Sequence, residues 1–143
     1  MRFGPQTNAG ALTVLAVLTL SARVLAGGDA EEARVRLTTA EIAALFAGVR
    51  DTAVVQEFSG SSAVTYWHAD GRFETRWRNE TTTGRVSGRW FARDDQRCAV
   101  YAGPDRAQPP TTECAAIYRQ GERYLSVKPD GSVHGIHSLS PLP

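Results

Sequence analysis

From Thr52 to Leu139 the chain breaks into short runs that alternate apolar and polar residues, punctuated by turn residues at roughly ten-residue spacing. That rhythm constrains the fold more than any other feature, because a period of two suits half-buried strands and no helix. The runs Thr52 to Phe58, Ala63 to Trp67, Arg72 to Arg78, Arg85 to Arg93, Arg97 to Ala102, Glu113 to Arg119, Arg123 to Val127 and Val133 to Leu139 read as strands. Asp70-Gly71 is a strong hairpin turn signal, since both residues tolerate positive φ, and Asp94-Asp95, Gln120-Gly121 and Pro129-Asp130-Gly131 supply further turns. About eight short strands joined this way predict an all-β fold, an antiparallel meander that buries its edges best by closing into a small barrel.

Upstream of the strands lies one helical signal. Thr38-Thr39-Ala40-Glu41 has the capping-box form, in which the Thr38 hydroxyl and the Glu41 carboxylate satisfy free amides at a helix start. Ile42, Leu45, Phe46 and Val49 then recur at helical spacing, and Gly48 suits the helix end. One short amphipathic helix is predicted, plugging one mouth of the barrel or covering one face.

The first 26 residues carry the pattern of an export signal. Arg2 supplies positive charge, Ala11 to Leu20 is an apolar run, and Val24 and Ala26 occupy the positions read by a signal peptidase. The run is short for a bilayer span, which needs about 20 apolar residues, and Arg23 interrupts it. The expected location is periplasmic or secreted, with no stable membrane insertion after cleavage. Loss of Arg2 and Arg23 turns the net charge from +1 to −1, which gives no global attraction to nucleic acid. Residues 27–36 are polar and charged and read as a flexible lead-in. Residues 37–143 then form a single domain.

Cys98 and Cys114 are the only cysteines. They lack C-x-x-C spacing and a companion histidine pair, so a structural disulfide is predicted rather than a redox or zinc site. No G-x-S-x-G elbow and no Gly-rich phosphate loop occurs. His68 beside Asp70 reads as turn chemistry. His134 and His137, three apart on a strand, are expected on opposite faces and so share no metal. No catalytic residue, metal or cofactor is assigned, and the chain is not read as an enzyme.

Two surfaces remain as candidates for binding. Trp67, Phe73, Trp77, Trp90 and Tyr118 either fill the barrel or line a pocket for an apolar small molecule. Arg72 and Arg76 on one strand, with Arg85 and Arg89 on the next, form a basic outer face that suits an anionic ligand or an acidic partner, Glu74 tempering it.

The order T-x-x-E-I…L-F-x-G, Asp70-Gly71, Gly88-Arg89-Trp90, Cys98, Cys114 and Ile117-Tyr118-Arg119 resembles a family of small exported proteobacterial proteins of unknown function. The resemblance spans about residues 37 to 139 and implies a disulfide-stapled periplasmic β-domain without catalytic residues. Gly88-Arg89-Trp90 is similar to the G-x-W motif of lipocalins, displaced from the first strand to about the fourth. Eight strands, one disulfide and an N-terminal segment are also similar to the periplasmic inhibitors of secreted metalloproteases. The expected function is a non-enzymatic module that binds an apolar small molecule or another exported protein, with protease inhibition through residues 27–36 as the alternative.

Overall fold

A computed structural model describes residues 32–57, 60–102 and 109–143. The predicted signal peptide and residues 27–31 of the predicted lead-in lie outside them. The elements are β1 (Val35–Arg36), α1 (Thr39–Phe46), β2 (Val49–Val55), β3 (Ser62–Trp67), β4 (Arg72–Arg78), β5 (Thr83–Arg93), β6 (Gln96–Tyr101), β7 (Thr111–Gln120), β8 (Arg123–Val127) and β9 (Val133–Pro141).

Each strand from β2 to β9 pairs antiparallel with the next, and β9 returns to pair with β2 from Val49↔Pro141 to Val55↔Gly135. The meander therefore closes into an eight-stranded barrel, as the strand rhythm predicts. β1 lies outside this ring. Its two residues pair with Arg119 and Tyr118 of β7, beyond Ala116 where the pairing with β6 ends. The last residues of the predicted lead-in are thus held as a strand.

The capping box forms as expected. The Thr38 amide donates to the Glu41 carboxylate at 2.8 Å, and the Glu41 amide donates to the Thr38 hydroxyl at 3.3 Å. Gly48 takes φ +85 and turns the chain at once, so β2 starts at Val49, three residues earlier than the apolar pattern indicates. The helix plugs one mouth of the barrel. Ile42 and Phe46 are fully buried, and the Phe46 ring lies 5.8 Å from Trp67 and 6.5 Å from Trp90. A clamp fixes the plug to the β5–β6 turn. The Thr39 amide and hydroxyl both donate to the Asp95 carboxylate, at 2.7 and 3.0 Å, and the Asp95 amide donates to the Thr39 hydroxyl at 2.8 Å.

Cys98 and Cys114 face each other in the β6–β7 register and are joined by a disulfide. Gly88 faces Phe73 across one strand pair and Tyr101 across the other. A β-carbon at Gly88 would overlap the Val100 carbonyl oxygen, so only glycine lets β5 and β6 approach this closely. The glycine of the G-R-W motif is a packing requirement here. Trp90 of the same motif is buried, and its indole N–H donates to the His68 carbonyl at 2.9 Å. Among the described residues no helix is long and apolar enough to cross a membrane.

Candidate functional site

Strand alternation and register decide which side chains enter the barrel. Odd-numbered residues of β2, β3, β4, β6, β7 and, from Gly135 onward, β9 point inward, as do even-numbered residues of β5 and β8. At the α1 end these are large. Trp67 lies 5.3 Å from Phe73 and 5.9 Å from Trp90, ring centre to ring centre, and they close the core with Phe46. Toward the other end Ala53, Ala63, Thr65, Thr75 and Gly135 are too small to meet across the interior. A cavity of about 450 Å³ remains, lined from every barrel strand except β8. A second lobe of about 400 Å³ shares Trp67, Arg97, Tyr101, Glu113 and His134 with it and reaches Lys128 and Pro129. Asn79, Val86 and Glu113 on the lining are exposed, so the cavity meets solvent away from the helix.

The floor of the cavity is polar. Asp51 on β2 is 1% exposed and accepts from the Trp67 indole N–H at 3.0 Å. His137 on β9 places Nδ1 2.9–3.0 Å from both Asp51 oxygens and Nε2 2.8 Å from the Ser126 hydroxyl. A carboxylate only accepts, so Nδ1 carries the hydrogen and Nε2 of the neutral ring accepts from Ser126. Gly135 makes this possible, because a β-carbon there would crowd His137 Nε2 at 3.1 Å.

Arg97 on β6 completes the floor. Its guanidinium carbon sits 4.4 Å from the Trp67 ring centre and 4.6 Å from that of Phe46, within range of cation–π attraction. Nη1 stands 3.6 Å from Asp51 Oδ2, too long for a good hydrogen bond, and this buried nitrogen has no hydrogen-bond partner among the described residues. The side chain is 10% exposed and borders both lobes.

Charge states follow from these contacts. Burial pushes the Asp51 carboxyl up, but the hydrogen bond and charge of His137, Arg97 and the Trp67 N–H outweigh it and hold the group below the usual carboxylate value. Burial pulls His137 below the usual imidazole value against the opposing pull of Asp51. Burial also lowers Arg97, although a guanidinium stays protonated. The floor is therefore an ionised Asp51, a neutral His137 and a cationic Arg97.

Ser126, His137 and Asp51 form a hydrogen-bonded row in the order of a hydrolase triad. Ser126 is fully buried and contributes nothing to the cavity lining. A molecule in the cavity meets the imidazole and Arg97, with the hydroxyl behind them. The row supports the floor and presents no nucleophile to the cavity.

The expected separation of His134 and His137 does not hold. Ser126 pairs with Gly135 and Val127 with Val133, so His134 is the extra residue of a β-bulge. The bulge breaks alternation, and both histidines border the cavity. His134 Nδ1 lies 3.2 Å from Glu57, which also pairs with Lys128.

Among the aromatic candidates, Trp67 and Trp77 line the cavity, whereas Phe73 and Trp90 fill the closed end. Tyr118 does not join them. Its neighbour Ile117 points into the core, so Tyr118 faces outward beside Leu125 and Arg36. The basic face assembles as the hairpin predicts, with Arg72 opposite Arg89 and Arg76 opposite Arg85. Asp70 pairs with Arg72 at 2.7 Å, and its carbonyl accepts from Arg89 at 3.4 Å. Among the described residues no cluster of three or more His, Cys, Asp or Glu side chains suits a metal ion.

Asp51, Arg97, Ser126 and His137 were not among the candidates from sequence. The available signal was parity: Arg97 shares its face with Ala99 and Tyr101, and a lone charge at an inward position implies a buried partner. Comparison with known proteins adds no family, since no protein-family model, no curated protein and no solved structure matches this chain.

Proposed function

We propose that the protein is an exported, non-enzymatic binding module that holds a small molecule in the interior of its barrel. The observation that carries this reading is the cavity of about 450 Å³, with Trp67 and Trp77 among its apolar walls and a polar floor at Arg97 and Asp51. Ligand sites are commonly of this size, mostly apolar, with a few convergent polar groups. Export is part of the proposal, supported by the signal pattern of residues 1–26 and by the disulfide, which persists in oxidising compartments.

The test is uptake of an apolar fluorophore such as N-phenylnaphthylamine, read by energy transfer from Trp67 and Trp77. Saturation at one probe per chain is expected, and Ala63→Phe, which fills the cavity, abolishes it. Uptake that never saturates, or that survives Ala63→Phe in a folded variant, refutes the reading.

Protease inhibition through residues 27–36 is the less favoured proposal. The Glu32 backbone carbonyl accepts from the Gln120 side-chain amide at 3.0 Å, and Val35 and Arg36 pair with β7, so the end of that segment is occupied with the barrel itself.

A further inference from the structure

The floor of the cavity is incomplete in one respect. Asp51 has donors from Trp67 and His137 as well as the charge of Arg97, whereas Arg97 Nη1 has no acceptor at hydrogen-bond distance among the described residues. An unmade hydrogen bond on a buried cation is costly, and the Arg97 side chain borders both lobes of the cavity. Nη1 itself is shielded, so an acceptor entering the cavity meets the guanidinium through the tenth of the side chain that is exposed.

Resting on the binding reading above, we propose that the ligand carries a single carboxylate that seats against Arg97, and that His137 takes up a proton as it binds. The proton follows from charge. Asp51 and Arg97 offset one another, so a carboxylate alone would leave one uncompensated negative charge in a buried site. Protonation at His137 Nε2 restores balance. The Ser126 hydroxyl accommodates either state, donating to Nε2 when the ring is neutral and accepting from it when the ring is charged.

The groups facing His137 agree with this assignment. Asp51 on β2 favours the imidazolium, Arg97 on β6 opposes it, and Ser126 on β8 is neutral. Tyr124 lies opposite in the β8 register. His134, nearby on β9, opposes the charge when protonated but is held by burial below its usual range. A bound carboxylate offsets the influence of Arg97. Its walls require an apolar body behind that head group.

Binding is measured by calorimetry on the mature chain with octanoate, octanol and octylamine, and with naphthoate and naphthol. The carboxylates are expected to bind at least about tenfold tighter than the matched alcohols, the scale of one charge-assisted hydrogen bond. Affinity rises as pH falls from 8 to 6, and titration in two buffers of different ionisation heat reports net proton uptake. Arg97→Met removes the carboxylate preference while Arg97→Lys keeps part of it. Alcohols binding as tightly as carboxylates overturn the proposal and leave the binding reading intact. A carboxylate preference without proton uptake overturns the role of His137. Failure of every probe, with N-phenylnaphthylamine also excluded, instead overturns the binding reading itself. The comparison of probes needs only the unaltered protein, so a variant that does not fold leaves the test in place.

Discussion

Asp51→Ala is the most demanding perturbation of this barrel. The carboxylate is 1% exposed, and its removal strands three groups at once: the Arg97 guanidinium, the Trp67 indole N–H and the His137 Nδ1–H. Breaking a buried ion pair by deleting one partner costs about 3–5 kcal/mol, because an uncompensated charge stays behind. The two neutral donors add to this, about 1–3 kcal/mol each where water cannot reach them. Arg97 borders the cavity, so entering water resolvates part of the guanidinium and holds the total near the lower figure. The lower figures, about 3 kcal/mol for the ion pair and about 1 for each neutral donor, give an expected loss of about 5 kcal/mol, against a net stability of about 5–15 kcal/mol for a domain of this size. Urea unfolding followed by tryptophan fluorescence measures it. Asp51→Asn keeps the shape and one acceptor and should lose about half as much. Adding Arg97→Met to Asp51→Ala removes the stranded cation, so the double variant should be at least about 1 kcal/mol more stable than the sum of the single effects. A loss below about 1 kcal/mol for Asp51→Ala, or strict additivity in the cycle, refutes the reasoning.

Three further outcomes follow from the same geometry. Gly88→Ala places a β-carbon on the Val100 carbonyl and against Phe73, and should cost about 2–3 kcal/mol by overpacking; a urea midpoint equal to wild type would contradict the close approach of β5 and β6. Replacing both Cys98 and Cys114 by Ala should cost about 3 kcal/mol, the loop-closure value for a crosslink of this span, and reduction of the native protein should cost the same in unfolding free energy. Because burial lowers His137 below its ordinary value of 6.5, the unfolded chain takes the proton first as pH falls. The contribution of this residue to stability is therefore complete above about pH 6.5 and is lost as pH drops through the folded value, with half-exposed His134 adding a smaller change of the same sign. His137→Gln should flatten the fall in urea midpoint between pH 7.5 and 5.5, and an unchanged slope would assign it elsewhere.

Much of the barrel was legible because its strands alternate. Phe73-x-Thr75-x-Trp77 places three inward positions in register, and turn residues end each run, so strand order follows once sequential hairpins are assumed. The capping box located α1 for the same local reason. The floor of the cavity was hidden because its members come from strands far apart in the chain. His137 lies 86 residues from Asp51, and no local spacing announces that closure of β9 onto β2 brings them together. Alternation also misled at one point. A single extra residue at His134 turns a side chain that should face solvent toward the interior, and a bulge of this kind has no residue signature in this strand. Tyr118 departs for the opposite reason: it obeys alternation, and because its neighbour Ile117 takes the inward position its ring faces out.

The contrast between the two ends of the barrel bears on what occupies the open one. The helix end is packed by Phe46, Trp67, Phe73 and Trp90 and tied by the Thr39–Asp95 clamp. The other end leaves about 450 Å³ unfilled. That space opens to solvent beside Asn79, Val86 and Glu113, so water reaches it. The cavity must therefore contain water or another molecule. Water suits the Arg97 and Asp51 floor but gains little against Trp77, Val55 and Ala53. An amphipathic occupant with an acceptor at one end meets Arg97 and returns the wall water to bulk, so the polar floor and the apolar walls both favour its entry.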